Sequence, residues 1–103
     1  MGAAVALAFA KEGARVAVAG RRAEKVQEVA EQAPHDHPML TRAADVCDRD
    51  ALPSLFDWFE AEAGKLDVLV HAAGVNLPKR SMKELSAEDW DKVLQINLTG
   101  AYD

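Results

Sequence analysis

The sequence predicts an α/β fold whose parallel sheet is incomplete within these residues. Helical and extended patterns alternate from end to end, the order that parallel β-α-β units require. The extended runs Val16-Ala17-Val18 and Val68-Leu69-Val70 are apolar on both faces, as in strands covered by helices on each side. The chain also opens on a helical pattern at its second residue, where such a sheet opens on a strand.

Residues Ala3–Glu12 read as the first helix, rich in Ala and Leu, with Gly13 as its stop. Arg15–Ala19 is the first extended run, closed by Gly20. Val26, Val29, Ala30 and Ala33 then recur at the spacing of one helix face, and Pro34 ends that helix. Pro38–Ala44 reads as the second strand. Leu52, Leu55, Phe56 and Phe59 repeat the helical stripe; Asp48 or Asp50 can cap it, Pro53 fits its first turn, and Gly64 stops it.

Leu66–His71 reads as a third strand and Val75–Leu85 as a loop. Ser86-Ala87-Glu88-Asp89 has the spacing of a capping box. The helix that it opens places Trp90, Val93, Leu94, Asn97 and Ala101 on one face.

Composition narrows the function classes. The 103 residues allow one domain, and the ordinary balance of apolar and charged residues excludes disorder. Alanine supplies 20 residues, so the core volume is smaller than the 50% apolar content suggests. A net charge of -5 offers nothing to a phosphate backbone, so nucleic acid is not an expected partner. The longest apolar run, Ala3–Ala10, is too short to span a membrane. The single Cys47 cannot form an internal disulfide, which suits a cytoplasmic location. His35-Asp36-His37 lies between two prolines with no cluster to complete it, and no metal is expected.

Chemistry concentrates after the strands. Gly2 stands at a helix N-terminus, where free N–H groups favour an anion; alone it is equally a small residue after a start codon. Gly20 is followed by Arg21 and Arg22, where a carboxylate would accept from a ribose 2′-hydroxyl. Paired guanidinium groups suit a 2′-phosphate; otherwise they are a solvated pair opening a helix. Asp45-Val46 follows the second strand, and a carboxylate there either accepts from an adenine amino group or caps a turn. His71-Ala72-Ala73-Gly74 follows the third, with small residues that let a flat ligand approach the backbone or that simply pack tightly. Asn97 falls on the expected buried stripe, where its amide either props neighbouring backbone or holds a water.

Together these segments resemble the short-chain dehydrogenase/reductase superfamily. Met1-Gly2-Ala3 is similar to the end of its Thr-Gly-x-x-x-Gly-x-Gly phosphate loop, and Gly20-Arg21-Arg22 to the selector of NADP-preferring members. Asp45-Val46 resembles the adenine-contacting pair, and His71-Ala72-Ala73-Gly74 the Asn-Asn-Ala-Gly motif, with both Asn positions replaced. Ile96-Asn97-Leu98-Thr99-Gly100 is similar to the segment carrying the active-site Asn.

The resemblance implies a Rossmann-like three-layer αβα fold, with residues 1–103 forming a partial NAD(P)-binding domain. Its first strand and C-terminal half are missing, as in a truncated reading frame. It implies an NADP-dependent oxidoreductase interconverting an alcohol and a carbonyl, with NAD the less favoured cofactor, and a homo-oligomeric parent. Gly2, Arg21, Arg22, Asp45, Val46, His71, Ala72, Ala73 and Gly74 would bind the cofactor, and Asn97 would support a catalytic water. Tyr102 is the only tyrosine and no lysine follows it, so these residues are expected to be inactive alone. A nucleotide- or partner-binding module without catalysis is the other class. A sugar-nucleotide epimerase relative is a third, disfavoured by the Asn97 segment. The family places the missing strand mid-sheet, so the strands near Val18 and Met39 should be parallel neighbours and Val68–Val70 should stand apart across a gap or collapse inward.

Overall fold

The computed structural model describes residues 1–103. Helix α1, Gly2–Lys11, forms because alanine and leucine lose little freedom in a helix. It ends where Gly13 takes a φ of 85°, a left-handed value that an L side chain rarely adopts. Strand β1, Ala17–Gly20, then leads to helix α2, Ala23–Ala30. Strand β2, Leu40–Ala43, pairs parallel to β1, with Ala17 opposite Leu40 and Gly20 opposite Ala43. The ladder gains a rung at each end, Leu40 N–H to Val16 C=O at 2.9 Å and Ala44 N–H to Gly20 C=O at 3.0 Å.

Helix α2 lies on this pair. Its buried Val26 sits where a β-carbon on Gly20 would come within 3.1 Å of Val26 Cγ2, so the glycine permits the close approach. Helix α3, Leu52–Ala63, carries Pro53 in its first turn and ends at Gly64, whose φ is 83°. Neither expected aspartate caps it: Ala51 holds the cap position without a side-chain bond, and Asp48 Oδ1 instead accepts from Ala51 N–H at 3.2 Å in the turn before the helix. Arg42 of β2 lies 5.4 Å from the Trp58 ring of α3, a cation–π contact between strand and helix.

Helix α4, Ala87–Leu94, starts at Ser86, whose hydroxyl accepts from Asp89 N–H at 3.1 Å. A five-residue π-turn, Gln95–Thr99, follows it without a break and leads into the short α5, Gly100–Tyr102.

Two further expectations are corrected. Leu66–His71 joins no ladder, so the sheet has two strands. A strand exists through its neighbour, and no other extended segment of these residues lies beside this one. Val68 and Leu69 are consequently 59% and 67% exposed. The segment is not hydrogen-bonded to the β1–β2 pair.

The second correction is the face of the last helix. Trp90, Asn97 and Ala101 are exposed, and the inward line is Val93, Ile96 and Gly100. These three stand at i, i+3 and i+7, a regular helical stripe; the expected stripe was phased on Trp90, which faces solvent. The buried residues Ala10, Val26, Met39, Leu52 and Ile96 are thus spread over separate elements rather than gathered in one core.

Candidate functional site

The start of α1, the segment after residues 66–71 and the turn after β2 are linked through the last helical segment by close contacts. At its start, α1 makes its first helical bond from Val5 N–H to Met1 C=O at 3.2 Å. The N–H groups of Gly2, Ala3 and Ala4 therefore have no helical partner and mark the positive end of the helix. Met1 supplies no side-chain cap. Gly2 lies against Ala72, whose β-carbon would be 3.0 Å from one on Gly2. The helix start and the His71–Gly74 segment are thus adjacent, and small residues on both sides make it possible. His71 and Ala73 are exposed.

From Gly74 the chain of contacts passes to Asn97. Asn97 Nδ2 donates to Val75 C=O at 2.9 Å, and Asn97 Oδ1 accepts from Val75 N–H at 2.7 Å. One side-chain amide occupies both backbone groups of one residue, as a neighbouring strand would. The pairing also fixes which amide atom is oxygen, because only Oδ1 can accept from the N–H. Gly74 lies beside this pairing, where a β-carbon would make an ordinary contact with Asn97 Oδ1 at 3.4 Å.

The expectation that Asn97 is buried is therefore corrected: the residue is exposed, and its amide is satisfied by backbone. Of the two roles open to it, the amide performs the propping one.

Three residues beyond Asn97, Gly100 meets Val46. A β-carbon on Gly100 would be 2.8 Å from Val46 Cγ2 and 3.1 Å from its carbonyl oxygen. This contact sets the Asp45–Cys47 turn against the helix. In the turn, Asp45 Oδ1 accepts from Cys47 N–H at 2.9 Å, an Asx-type bond that holds the carboxylate over its own backbone. The Cys47 thiol is pushed up from its ordinary pKa, first by burial, then by the charge and hydrogen bond of Asp45. The Arg21 guanidinium acts in the opposite direction, which places it within electrostatic reach of the turn.

Arg21 and Arg22 are both exposed and neither takes part in a salt bridge. Arg22 holds the cap position of α2 with extended backbone and no side-chain bond. Two uncommitted guanidinium groups therefore stand after β1.

Sequence reasoning missed three members of this site: Cys47, Val75 and Gly100. Val75 enters through its backbone, for which no side-chain signal exists. Gly100 had a signal, a glycine inside a helical pattern, which marks a close approach when a packing reason exists.

The whole chain, residues 1–103, matches the family model described as enoyl-(acyl carrier protein) reductase. D-threitol dehydrogenase of Mycolicibacterium smegmatis is 39% identical over 103 residues, covering 99% of this chain. This chain spans only 39% of that protein's length. The solved short-chain type dehydrogenase/reductase from Mycobacterium marinum superposes with a TM-score of 0.91 at 31% identity, over 98% of this chain and 41% of that one. A solved ElxO variant with NADPH bound superposes with a TM-score of 0.84 at 27% identity, over 95% of this chain and 40% of that one.

Proposed function

The chain belongs to the short-chain dehydrogenase/reductase superfamily, and from that premise we propose that it forms the adenosine-and-phosphate half of an NADP site. The parent activity is then an oxidoreductase that interconverts an alcohol and a carbonyl. The observation that carries the reading is the series of contacts from Gly2 to Ala72, from Gly74 and Val75 to Asn97, and from Gly100 to Val46. It gathers the candidate segments where an α/β sheet binds ligands, beyond the carboxyl ends of its strands.

The donor chemistry fits the group. Free N–H groups of Gly2, Ala3 and Ala4 suit a pyrophosphate. Arg21 and Arg22 have no acidic partner and suit a 2′-phosphate. Asp45 keeps an oxygen beyond the one that accepts from Cys47 N–H, suited to an adenine amino group. His71, Ala72, Ala73 and Gly74 present a narrow backbone surface beside α1. The bound cofactor supplies the hydride; these residues bind and orient it. Asn97 acts by holding Val75, and through it the segment beneath the cofactor, in place.

No residue here performs the proton transfer that the alcohol–carbonyl step also needs: Tyr102 is exposed and is followed by Asp103. These 103 residues on their own therefore bind without turnover. A cytoplasmic location and self-association of the parent belong to the same proposal. Self-association is favoured by the exposed Trp90, Leu98 and Tyr102 along one helical segment and is read by light scattering. No helix is long and apolar enough to cross a membrane.

The test is titration of the protein with NADP and NAD, before and after Arg21→Ala. NADP should bind more tightly, and the variant should lose about 1.5–3 kcal/mol for NADP alone, the worth of a charge-assisted bond. In the same samples NADPH absorbance should stay at the blank rate with ketones and aldehydes. Equal affinity for the two cofactors, or a loss shared by both, defeats the assignment.

A further inference from the structure

We infer that Gly100 is a positioning residue for the nucleotide site: its missing β-carbon seats Val46, and with it the Asp45–Cys47 turn, against the helical segment that carries Asn97. The inference rests on the reading of Asp45 and Val46 as the adenine side of that site.

Gly100 is buried, unlike its neighbours Ala101 and Tyr102. Val93, Ile96 and Gly100 follow one another at i, i+3 and i+7, the spacing of one helix face, which turns Gly100 inward. At the contact, a β-carbon would meet Val46 Cγ2 at 2.8 Å, Val46 Cβ at 3.0 Å and the Val46 carbonyl oxygen at 3.1 Å. All three belong to one residue, and one of them is backbone, so rotation of the Val46 side chain cannot relieve the approach. The turn itself must move. That turn is short and internally tied, because Asp45 Oδ1 accepts from Cys47 N–H at 2.9 Å across Val46. A displacement of Val46 is therefore passed to the Asp45 carboxylate.

Gly100 and Asn97 also lie three residues apart on the same segment, and Asn97 grips Val75 through both of its amide atoms. The segment thus holds the two sides of the candidate site at once, Val75 through hydrogen bonds and Val46 through the absence of an atom. The lack of a side chain at position 100 fixes the distance between the helix and the adenine side.

The experiment is a double-mutant cycle of Gly100→Ala and Val46→Ala, each protein titrated with adenosine 2′,5′-bisphosphate and melted without ligand. Gly100→Ala should weaken binding of the bisphosphate about tenfold, the scale of an overpacked contact. In the Val46→Ala background, where Cγ2 is gone but Cβ and the carbonyl oxygen remain, the same change should cost clearly less, about threefold. Hydrogen exchange at Val75 N–H should stay at the wild-type rate in Gly100→Ala, because the Asn97 bonds are untouched. Affinity unchanged in Gly100→Ala, an equal loss in both backgrounds, or lost protection at Val75 overturns the inference. If the wild-type protein binds no bisphosphate, the site reading fails by itself. Melting temperatures of the four proteins then decide about Gly100, since coupled effects uphold the seating of Val46 and additive effects refute it.

Discussion

Asn97 turns the geometry of a helix into the geometry of a site. Its amide replaces the neighbour that the extended backbone at Val75 otherwise lacks, one donor and one acceptor at once. Removing it leaves both groups to water, at a net cost of about 1–2 kcal/mol for two bonds near the surface. Asn97→Ala should therefore lower stability to urea by that amount and speed hydrogen exchange at Val75 N–H. Asn97→Asp should not restore it, because a carboxylate accepts from the N–H but sets a second oxygen against Val75 C=O. Unchanged exchange at Val75 in the alanine variant would show that the pairing contributes nothing. The sequence marked Asn97 as the residue to watch but misjudged its surroundings. The expected stripe was phased on Trp90, which is exposed; the inward line through Val93, Ile96 and Gly100 keeps the helical spacing but lies one residue earlier. Apolar residue types do not say which of two overlapping stripes faces inward, so the phase was not legible.

Elements were legible where local chemistry decides them and illegible where pairing does. The helix starting at Ser86 was readable because a hydroxyl three residues before a free amide is a local fact, realised in the 3.1 Å bond from Asp89 N–H. Ser86→Ala should reduce stability by about 1 kcal/mol, as loss of an N-cap does, and Ser86→Asp should retain most of it. Helical ellipticity and the urea midpoint together measure this; equal midpoints for the wild type and the alanine variant would mean that packing alone holds α4. Leu66–His71 is the opposite case. Its residues have every local mark of a strand, yet a ladder needs a second chain segment at about 4.8 Å. The β1–β2 register was likewise decided by tertiary placement, though their adjacency and parallel sense followed from the short helical crossover between them.

At the scale of the molecule, the separate contacts leave the chain open. Its radius of gyration is 15.4 Å, where a compact chain of this length has about 13 Å. Its accessible surface is 7533 Å², where about 5,700 Å² is usual for this mass. Much of the excess is apolar and part of it is contiguous. Val68, Leu69 and Val70 are 59%, 67% and 49% exposed on a backbone that joins no ladder. Such a segment combines high strand propensity with open N–H and C=O groups, the two requirements for edge-to-edge association. A charge in its middle should block association without touching the fold, because a side chain that far out of the core contributes little there. Leu69→Lys is therefore expected to slow aggregation on warming, seen as delayed light scattering. The urea midpoint should shift by no more than about 0.5 kcal/mol in equivalent free energy. Scattering as early as in the wild type would place the sticky surface elsewhere, with Trp90, Leu98 and Tyr102 the next apolar group to charge. A large loss of stability would instead mean that Leu69 packs in solution, and that the gap beside 66–71 closes there.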